Sequence, residues 1–310
     1  AHTGTASAGD TIDYQIVSTL PSITSEATYL SCYAFIDTLS AGLTYTKGDV
    51  VLEVFSDTAC KNAVTTWKEA DGYFTVSYND AQDVKTAMTV EMTAKGLAEI
   101  NNSQAVYTDA SMVNSGFSDC TMRLTYTAKM DGDNSLVVGD KGNDNKVVLT
   151  WKRTSETFYD TLLDDCHVFS YGIDLTKLFS DGKGDFSKVA FLVQNKTDNY
   201  FVKAQLNEDE GVYYVTGHTE SKEDATHFVP VKTGDTKGRI LIKGLEDDTY
   251  SMTEIRTDSG YVLLKQDIEV VISQKESADS CTVYASDTLG LIQNDPRYAK
   301  VIQSDADLKN

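Results

Sequence analysis

The sequence predicts an all-β protein, built as two β-sandwich domains in tandem, and three observations carry that prediction. Short segments that alternate apolar and polar residues recur along the chain, broken by Gly-, Asn- and Asp-rich turns. Tyr (17) outnumbers Phe (11), and Thr and Val recur throughout, a composition that favours strands. The 310 residues are enough for about two domains, and 41% hydrophobic content supplies a core for each.

In the first half, DTIDYQIVSTL (10–20) alternates Ile12, Tyr14 and Ile16 against polar residues. ATYLSCYAFIDTL (27–39) reads as a longer strand with Asp37 near its end. YFTVSY (73–78), CTMRLTYTAKM (120–130) and KVVLTWKR (146–153) follow as strands. DVKTAMTVEMTAKGLAEINN (83–102) starts strand-like and ends as a helical turn, and few other helices are expected. TSETFYDTLLDD (154–165) separates two strand sets, placing the domains at 1–160 and 161–310.

The second half reads as strands at 167–177, 188–195, 200–206, 211–217, 238–245, 249–257 and 267–273, with a last strand within 281–294. SDGKGD (180–185) reads as a flexible hairpin tip. The long polar loops 101–119 and 207–226 are the places for a binding activity.

Charge and motifs exclude several function classes. A net charge of −20 argues against nucleic-acid backbones and anionic membranes as partners. No apolar run has the length of a membrane span. No signal peptide is visible at Ala1, so the chain reads as cytoplasmic, or as a mature or trimmed piece of something larger. The five cysteines (Cys32, Cys60, Cys120, Cys166, Cys281) form no CxxC pair, which argues against zinc, and His167 reads as an ordinary strand residue. A Cys166–Cys281 bridge is one pairing the sequence leaves open.

DGDNS (131–135) and GDKGNDN (139–145) are rich in oxygen ligands but lack the closing Glu of an EF-hand, and read as solvated turns. Asn101-Asn102-Ser103 and Asn195-Lys196-Thr197 fit the glycosylation pattern. No phosphate loop, Ser/His/Asp set or carboxylate pair stands out, so neither a cofactor nor a conventional enzyme is expected.

Two charged residues on apolar faces carry the chemistry. In YGIDLTK, Ile173, Leu175 and Lys177 share a face, and Lys177 either snorkels to water from the strand end or lies buried. In TYSMTEIRT, Tyr250, Met252 and Glu254 share a face, so a core-facing Tyr and Met bring Glu254 inward. Burial favours a neutral amine and a neutral carboxylic acid. The amine is then a nucleophile, and the acid polarises an amide carbonyl and shuttles protons. An Asn side chain held against them would yield an amide bond and ammonia, driven by proximity and exclusion of water.

YGIDLTK, KVAFLV and GRILIKGLEDDTYSMTEIRTDSGYVLL together resemble the CnaB-type domain of Gram-positive pilins and surface adhesins. The likeness spans residues 166–294 and implies an intramolecular isopeptide bond from Lys177, with Glu254 as its catalytic carboxylate. It places the acceptor Asn in the last strand; Asn294 is the choice, its alternative role being a turn residue before Asp295-Pro296.

The first half resembles the fimbrial isopeptide-forming domain that accompanies it, through AGDTIDYQI (8–16), YAFIDTLSAGLTY (33–45) and TYTAKM…GDKGNDNKVVLTW (125–151). That likeness implies Asp37 as catalytic carboxylate and Asn145 as acceptor amide. The chain departs from the pattern where the lysine belongs, just ahead of GDT: it reads AHTGTAS there, with no lysine before Lys47.

Both domains are therefore expected to be immunoglobulin-like sandwiches. The resemblance implies a structural pilus subunit at the Gram-positive cell wall, joined to other pilin subunits by sortase and stiffened against pulling by the Lys177–Asn294 link. Lys300 in DPRYAKV reads as an ordinary surface lysine. The alternative is an adhesin that binds host glycans or matrix proteins on the same sandwiches.

Overall fold

The computed structural model describes residues 3–21, 29–79, 87–101, 116–139, 141–277, 280–284 and 299–302, and from residue 274 onward the backbone alone. Contacts divide the chain into two compact units. One comprises Thr11–Lys129 and Asp144–Cys166; the other comprises Ala1–Asp10, Met130–Asn143 and His167–Asn310. Two stretches from the first half of the chain thus group with the later strands. Backbone hydrogen bonds show why: Ala8 N–H donates to Gly244 O at 2.9 Å, and Gly139 N–H to Ser170 O at 2.8 Å.

The first strand, β1 (Thr3–Thr5), belongs with the later strands, pairing in parallel with His167–Phe169. The unit built on Thr11–Lys129 then contains β2 (Thr11–Thr19), β3 (Leu30–Leu39), β4 (Leu43–Tyr45), β5 (Val51–Phe55) and β6 (Ala63–Lys68). It continues through β7 (Phe74–Asn79), β8 (Ala87–Met92), helix α1 (Ala94–Asn101), β9 (Thr121–Met130), β10 (Asn143–Arg153) and β11 (Asp160–Phe169). One sheet runs β11-β10-β3-β8-β7; the other runs β2-β9-β5-β6, with β4 paired to β9.

Alternation decides which side chains meet between these sheets. Tyr33, Phe35, Asp37 and Leu39 of β3 point inward, as do Met122, Leu124, Tyr126 and Ala128 of β9. Each large apolar side chain buried this way contributes roughly 1.5–3 kcal/mol. Asn101, the last residue of α1, holds the start of β3, accepting Leu30 N–H at 2.9 Å and donating to Leu30 O at 2.8 Å.

The other unit contains β12 (Tyr171–Thr176), β13 (Ala190–Asn195), β14 (Tyr200–Asn207), β15 (Val212–Thr219), β16 (Arg239–Leu245) and β17 (Thr249–Arg256). It ends with β18 (Ile268–Val271), β19 (Ser273–Ser277), β20 (Ser280–Tyr284) and β21 (Ala299–Ile302). The pairing order is β18-β17-β13-β14-β15-β16-β12-β21, and β19 and β20 form a separate hairpin. Strands β12 and β17 have four strands between them in this order, a span of about 24 Å in a flat sheet. Side chains at their ends nevertheless meet at 2.8 Å. The strand array folds back on itself, so its two ends face each other across a core.

The sequence reading differs from the structure at several points, among them a last described strand at Ala299–Ile302 rather than within 281–294. Residues 160–169 form β11, which begins inside the stretch read as a separator and takes in the start of the strand read at 167–177. Thr161–Asp165 are exposed on both faces, so no alternation marks them. Strands β4, β5 and β6 were not anticipated: β4 has three residues, and in β6 only Trp67 is buried. SDGKGD is not a hairpin tip, because β12 and β13 are not neighbours in the sheet. It crosses from one strand to another, with Asp185 accepting Ser187 N–H at 2.9 Å to start a short 3-10 turn.

Candidate functional site

Lys177 follows β12 directly, and its N–H donates to Gly238 O at 2.8 Å, which fixes where the side chain leaves the strand. Ile173 and Leu175 on that face are buried. Glu254 lies in β17 on the face of Tyr250 and Met252, both fully buried, and pairs by register with Phe191 of β13. Lys177 Nζ lies 2.8 Å from Glu254 Oε1, the two side chains being 14% and 0% exposed.

The two carboxylate oxygens of Glu254 are used differently. Oε2 accepts the N–H of Leu264 at 2.9 Å. Oε1 takes no hydrogen bond of good geometry from the described residues, and the lysine nitrogen is its charge partner. The ring of Phe179 lies 5.4 Å from Nζ, a cation–π distance. Asp174 on the opposite face of β12 does not compete for the lysine. Arg239 grips it with Nε and Nη2, each at 2.7 Å.

Asn294 lies outside the described residues. Strand β21, which begins five residues after it, pairs antiparallel with β12, Ala299 opposite Leu175.

In the other unit, Asp37 is fully buried and opposes Val147 of β10, two residues along from Asn145 opposite Leu39. Tyr45 Oη donates to Asp37 Oδ1, and Tyr126 Oη donates to Oδ2 at 2.6 Å. Asn145 Nδ2 donates to Tyr126 Oη at 2.7 Å, so one phenol joins the two candidate residues. Asn145 Oδ1 is buried and takes no partner among the described residues. Burial pushes the Asp37 carboxyl up to about 6, against the pull of hydrogen bonds from Tyr126, Tyr45 and Asn145. Burial, then the Asp37 charge, raises the phenols of Tyr45 and Tyr126.

Among the described residues these hydrogen-bonding groups on Asp37 are neutral. Tyr14 of β2 stacks its ring on Tyr126 at 5.4 Å, and its buried hydroxyl takes no hydrogen bond from the described residues. Tyr45 and Tyr126 are the members of this site that the sequence reading missed. Their signal was an inward-facing tyrosine within GLTY and within TYT.

The remaining candidates resolve simply. Asn195 is fully buried, donating to Asp248 at 2.7 Å and accepting Thr197 and Asp198 N–H groups, so it offers no glycosylation site. Asn101 is likewise buried on Leu30. Asp133 accepts Ser135 N–H at 2.8 Å, and Asn143 spans Val137 and Val168 backbone groups, so both turns are closed by their own hydrogen bonds. Cys166 carries no disulfide. His167 is a strand residue beside Phe169. Loop 207–226 contains β15 and a short 3-10 turn, and residues 102–115 of the other proposed binding loop lie outside the described residues. Among the described residues no helix is long and apolar enough to cross a membrane.

Residues 172–286 match the SpaA prealbumin-like fold domain family. Among solved structures, the chain is similar to a 35 kDa C-terminal fragment of the major pilin GBS80 of Streptococcus agalactiae, with 16% identity over 88% of this chain and 87% of that one, at a TM-score of 0.59. It is similar to the T6 backbone pilin of serotype M6 Streptococcus pyogenes, with 15% identity and a TM-score of 0.56, over 86% of this chain but 48% of that one. It is also similar to the Corynebacterium diphtheriae major pilin SpaA, with 13% identity and a TM-score of 0.56, over 90% of this chain and 63% of that one. The chain therefore spans about half the T6 pilin and under two thirds of SpaA. Among curated proteins none matches this sequence. The chain shares the all-β sandwich fold of these pilus backbone pilins, and its residues 172–286 match the model of the SpaA prealbumin-like fold domain.

Proposed function

We propose that this chain is a structural subunit of a sortase-assembled pilus on a Gram-positive cell wall, linked to other pilin subunits and stiffened by a self-made amide bond between Lys177 and Asn294. In this reading residues 1–160 are a fimbrial isopeptide-type sandwich and residues 161–310 a CnaB-type one. The observation that carries it is the buried 2.8 Å approach of Lys177 Nζ to Glu254 Oε1, from strands with four others between them in the pairing order. Similarity to pilus backbone proteins supports it, one of them described as stabilised by isopeptide bonds.

The chemistry balances without a cofactor. The Lys177 amine attacks Cγ of Asn294, and the new C–N bond forms as the bond from Cγ to Nδ2 breaks. Glu254 takes a proton from Nζ and returns it to the departing nitrogen, which leaves as ammonia. Nothing is oxidised or reduced. The reaction runs once per molecule, so the chain is its own substrate. A bond between β12 and the chain ahead of β21 would tie the first and last strands of the domain.

Intact mass of the reduced, denatured protein tests the reading. A deficit of one ammonia, mapped to a Lys177–Asn294 peptide pair and absent from Glu254→Ala, is the expected result. A full mass in the wild type overturns it.

A further inference from the structure

Two loops flank the Lys177–Glu254 pair. One, residues 177–189, carries Phe179, Asp181, Asp185, Phe186 and Lys188; the other, residues 257–267, carries Asp258, Tyr261 and Leu264. They are tied to each other at several points. Tyr261 Oη donates to Asp181 Oδ1 at 2.5 Å. Asp258 takes Lys188 Nζ on Oδ1 at 2.8 Å and the Asp185 N–H on Oδ2 at 3.0 Å. Lys188 holds the Asp258 carboxyl down to about 2, so this tie stays charged well into acid.

The ties end on the two reacting groups. The Tyr261 ring lies 4.5 Å from the Phe179 ring, which packs edge-on against Phe186 at 5.0 Å and sits 5.4 Å from Lys177 Nζ. Three residues beyond Tyr261, the Leu264 N–H orients Glu254 through Oε2 and leaves Oε1 toward the amine. Close backbone approach keeps this cover tight. A Cβ on Gly184 would stand 2.3 Å from the Phe179 ring. Gly238, at φ +89°, passes so near that a Cβ would stand 2.5 Å from Lys177 O and 3.0 Å from Phe186. Only glycine adopts that backbone without strain.

We propose that Tyr261 is a positioning residue for amide-bond formation: its hydroxyl on Asp181 and its ring on Phe179 latch the two loops over the Lys177 amine, keep water from it, and hold Leu264 against Glu254. This rests on Lys177 being the nucleophile. Surface hydrogen bonds of this kind contribute little to stability. Their effect is on geometry, where a misplacement of about 1 Å costs on the order of 100-fold in rate.

The test is a time course of the full chain made by cell-free synthesis, quenched in acid and weighed intact. Tyr261→Ala is expected to slow ammonia loss by roughly 10- to 100-fold while reaching the same final mass. Tyr261→Phe, which keeps the ring, and Asp181→Asn, which keeps the fold and weakens the acceptor, are expected to slow it only a few-fold. A purely structural role would not change the pH profile. With the latch open, Tyr261→Ala is expected to change the pH profile of the rate, and Tyr261→Phe, which keeps the ring over the amine, to keep the wild-type profile. Equal rates and superimposable profiles for wild type and Tyr261→Ala overturn the latch while leaving the cross-link intact. A wild type that never loses ammonia overturns both.

Discussion

Asp37 and Glu254 are both carboxylates on the inward face of a strand, yet their surroundings divide them. Glu254 faces an amine at 2.8 Å and a backbone N–H, so its charge is met inside the protein. Asp37 faces two phenols and an amide, which donate hydrogen bonds but carry no charge. The first arrangement sets an amine beside a carboxylate, the pairing that the proposed cross-link needs. The second holds a carboxylate and an amide together through Tyr126, without an amine among the groups hydrogen-bonded to Asp37. On the proposed reading, the group opposite a buried carboxylate, rather than its burial alone, decides whether it can promote a cross-link.

The largest effect that separates the sites is covalent. Removing a cross-link that closes a loop of about 100 residues is expected to cost about 5 kcal/mol, or on the order of 10 °C in unfolding temperature. Glu254→Ala should show that loss together with the full mass. An unchanged melting temperature would mean that Lys177 and Glu254 are an ion pair and nothing more.

A second pair in the same unit sharpens the point. Asp174 and Arg239 are as close as Lys177 and Glu254, but a guanidinium stays charged and does not attack an amide. Arg239→Ala removes the two charge-assisted hydrogen bonds of the guanidinium to Asp174 and is expected to cost about 2 kcal/mol. Ammonia loss should continue, since Asp174 lies on the other face of β12. If Arg239→Ala instead stops the mass change, the two pairs are one network.

The inward positions of Lys177 and Glu254 were legible because strand alternation has a period of two, and Ile173, Leu175, Tyr250 and Met252 set the phase. Their meeting was not legible in periodicity, because β12 and β17 are separated by four strands and only the folded array brings their ends together; the family resemblance alone implied it. Nor was the second oxygen of Glu254, whose donor is a backbone N–H. Strand β11 escaped notice because most of it is exposed on both faces, and β6 because it buries one side chain. The tyrosines around Asp37 lay within quoted motifs, but a hydroxyl aimed at a carboxylate leaves no trace in apolar periodicity.

The uncompensated charge of Asp37 should appear as pH dependence. Its carboxyl sits at about 6 in the folded chain against 3.8 for the free group. The folded state therefore binds the proton more tightly. The resulting stabilisation is fully present below about pH 4 and lost as pH rises through 6, worth at most about 3 kcal/mol. Asp37→Asn imitates the protonated acid and should flatten the curve between about pH 4 and 6. Chemical denaturation of both proteins across that window gives the difference. Glu246, which burial lifts to about 7, changes stability in the same direction in both, so it cancels. Parallel curves would mean that Asp37 keeps its charge through a cation outside the described residues.

The smallest effect asks what each phenol contributes beside Asp37. Tyr126 Oη is the bridge between Asp37 and Asn145, so Tyr126→Phe removes a hydrogen bond to each and is expected to cost about 2 kcal/mol. Tyr14 stacks on the same ring, but its hydroxyl is buried without a partner among the described residues. Tyr14→Phe deletes an unsatisfied polar group and keeps the stack, so it is expected to be neutral or to stabilise by about 1 kcal/mol. Denaturant midpoints at pH 7 resolve the two signs. A loss of stability in Tyr14→Phe would show that this hydroxyl does hold a partner, and that the neutral site extends to the first strand of its sandwich.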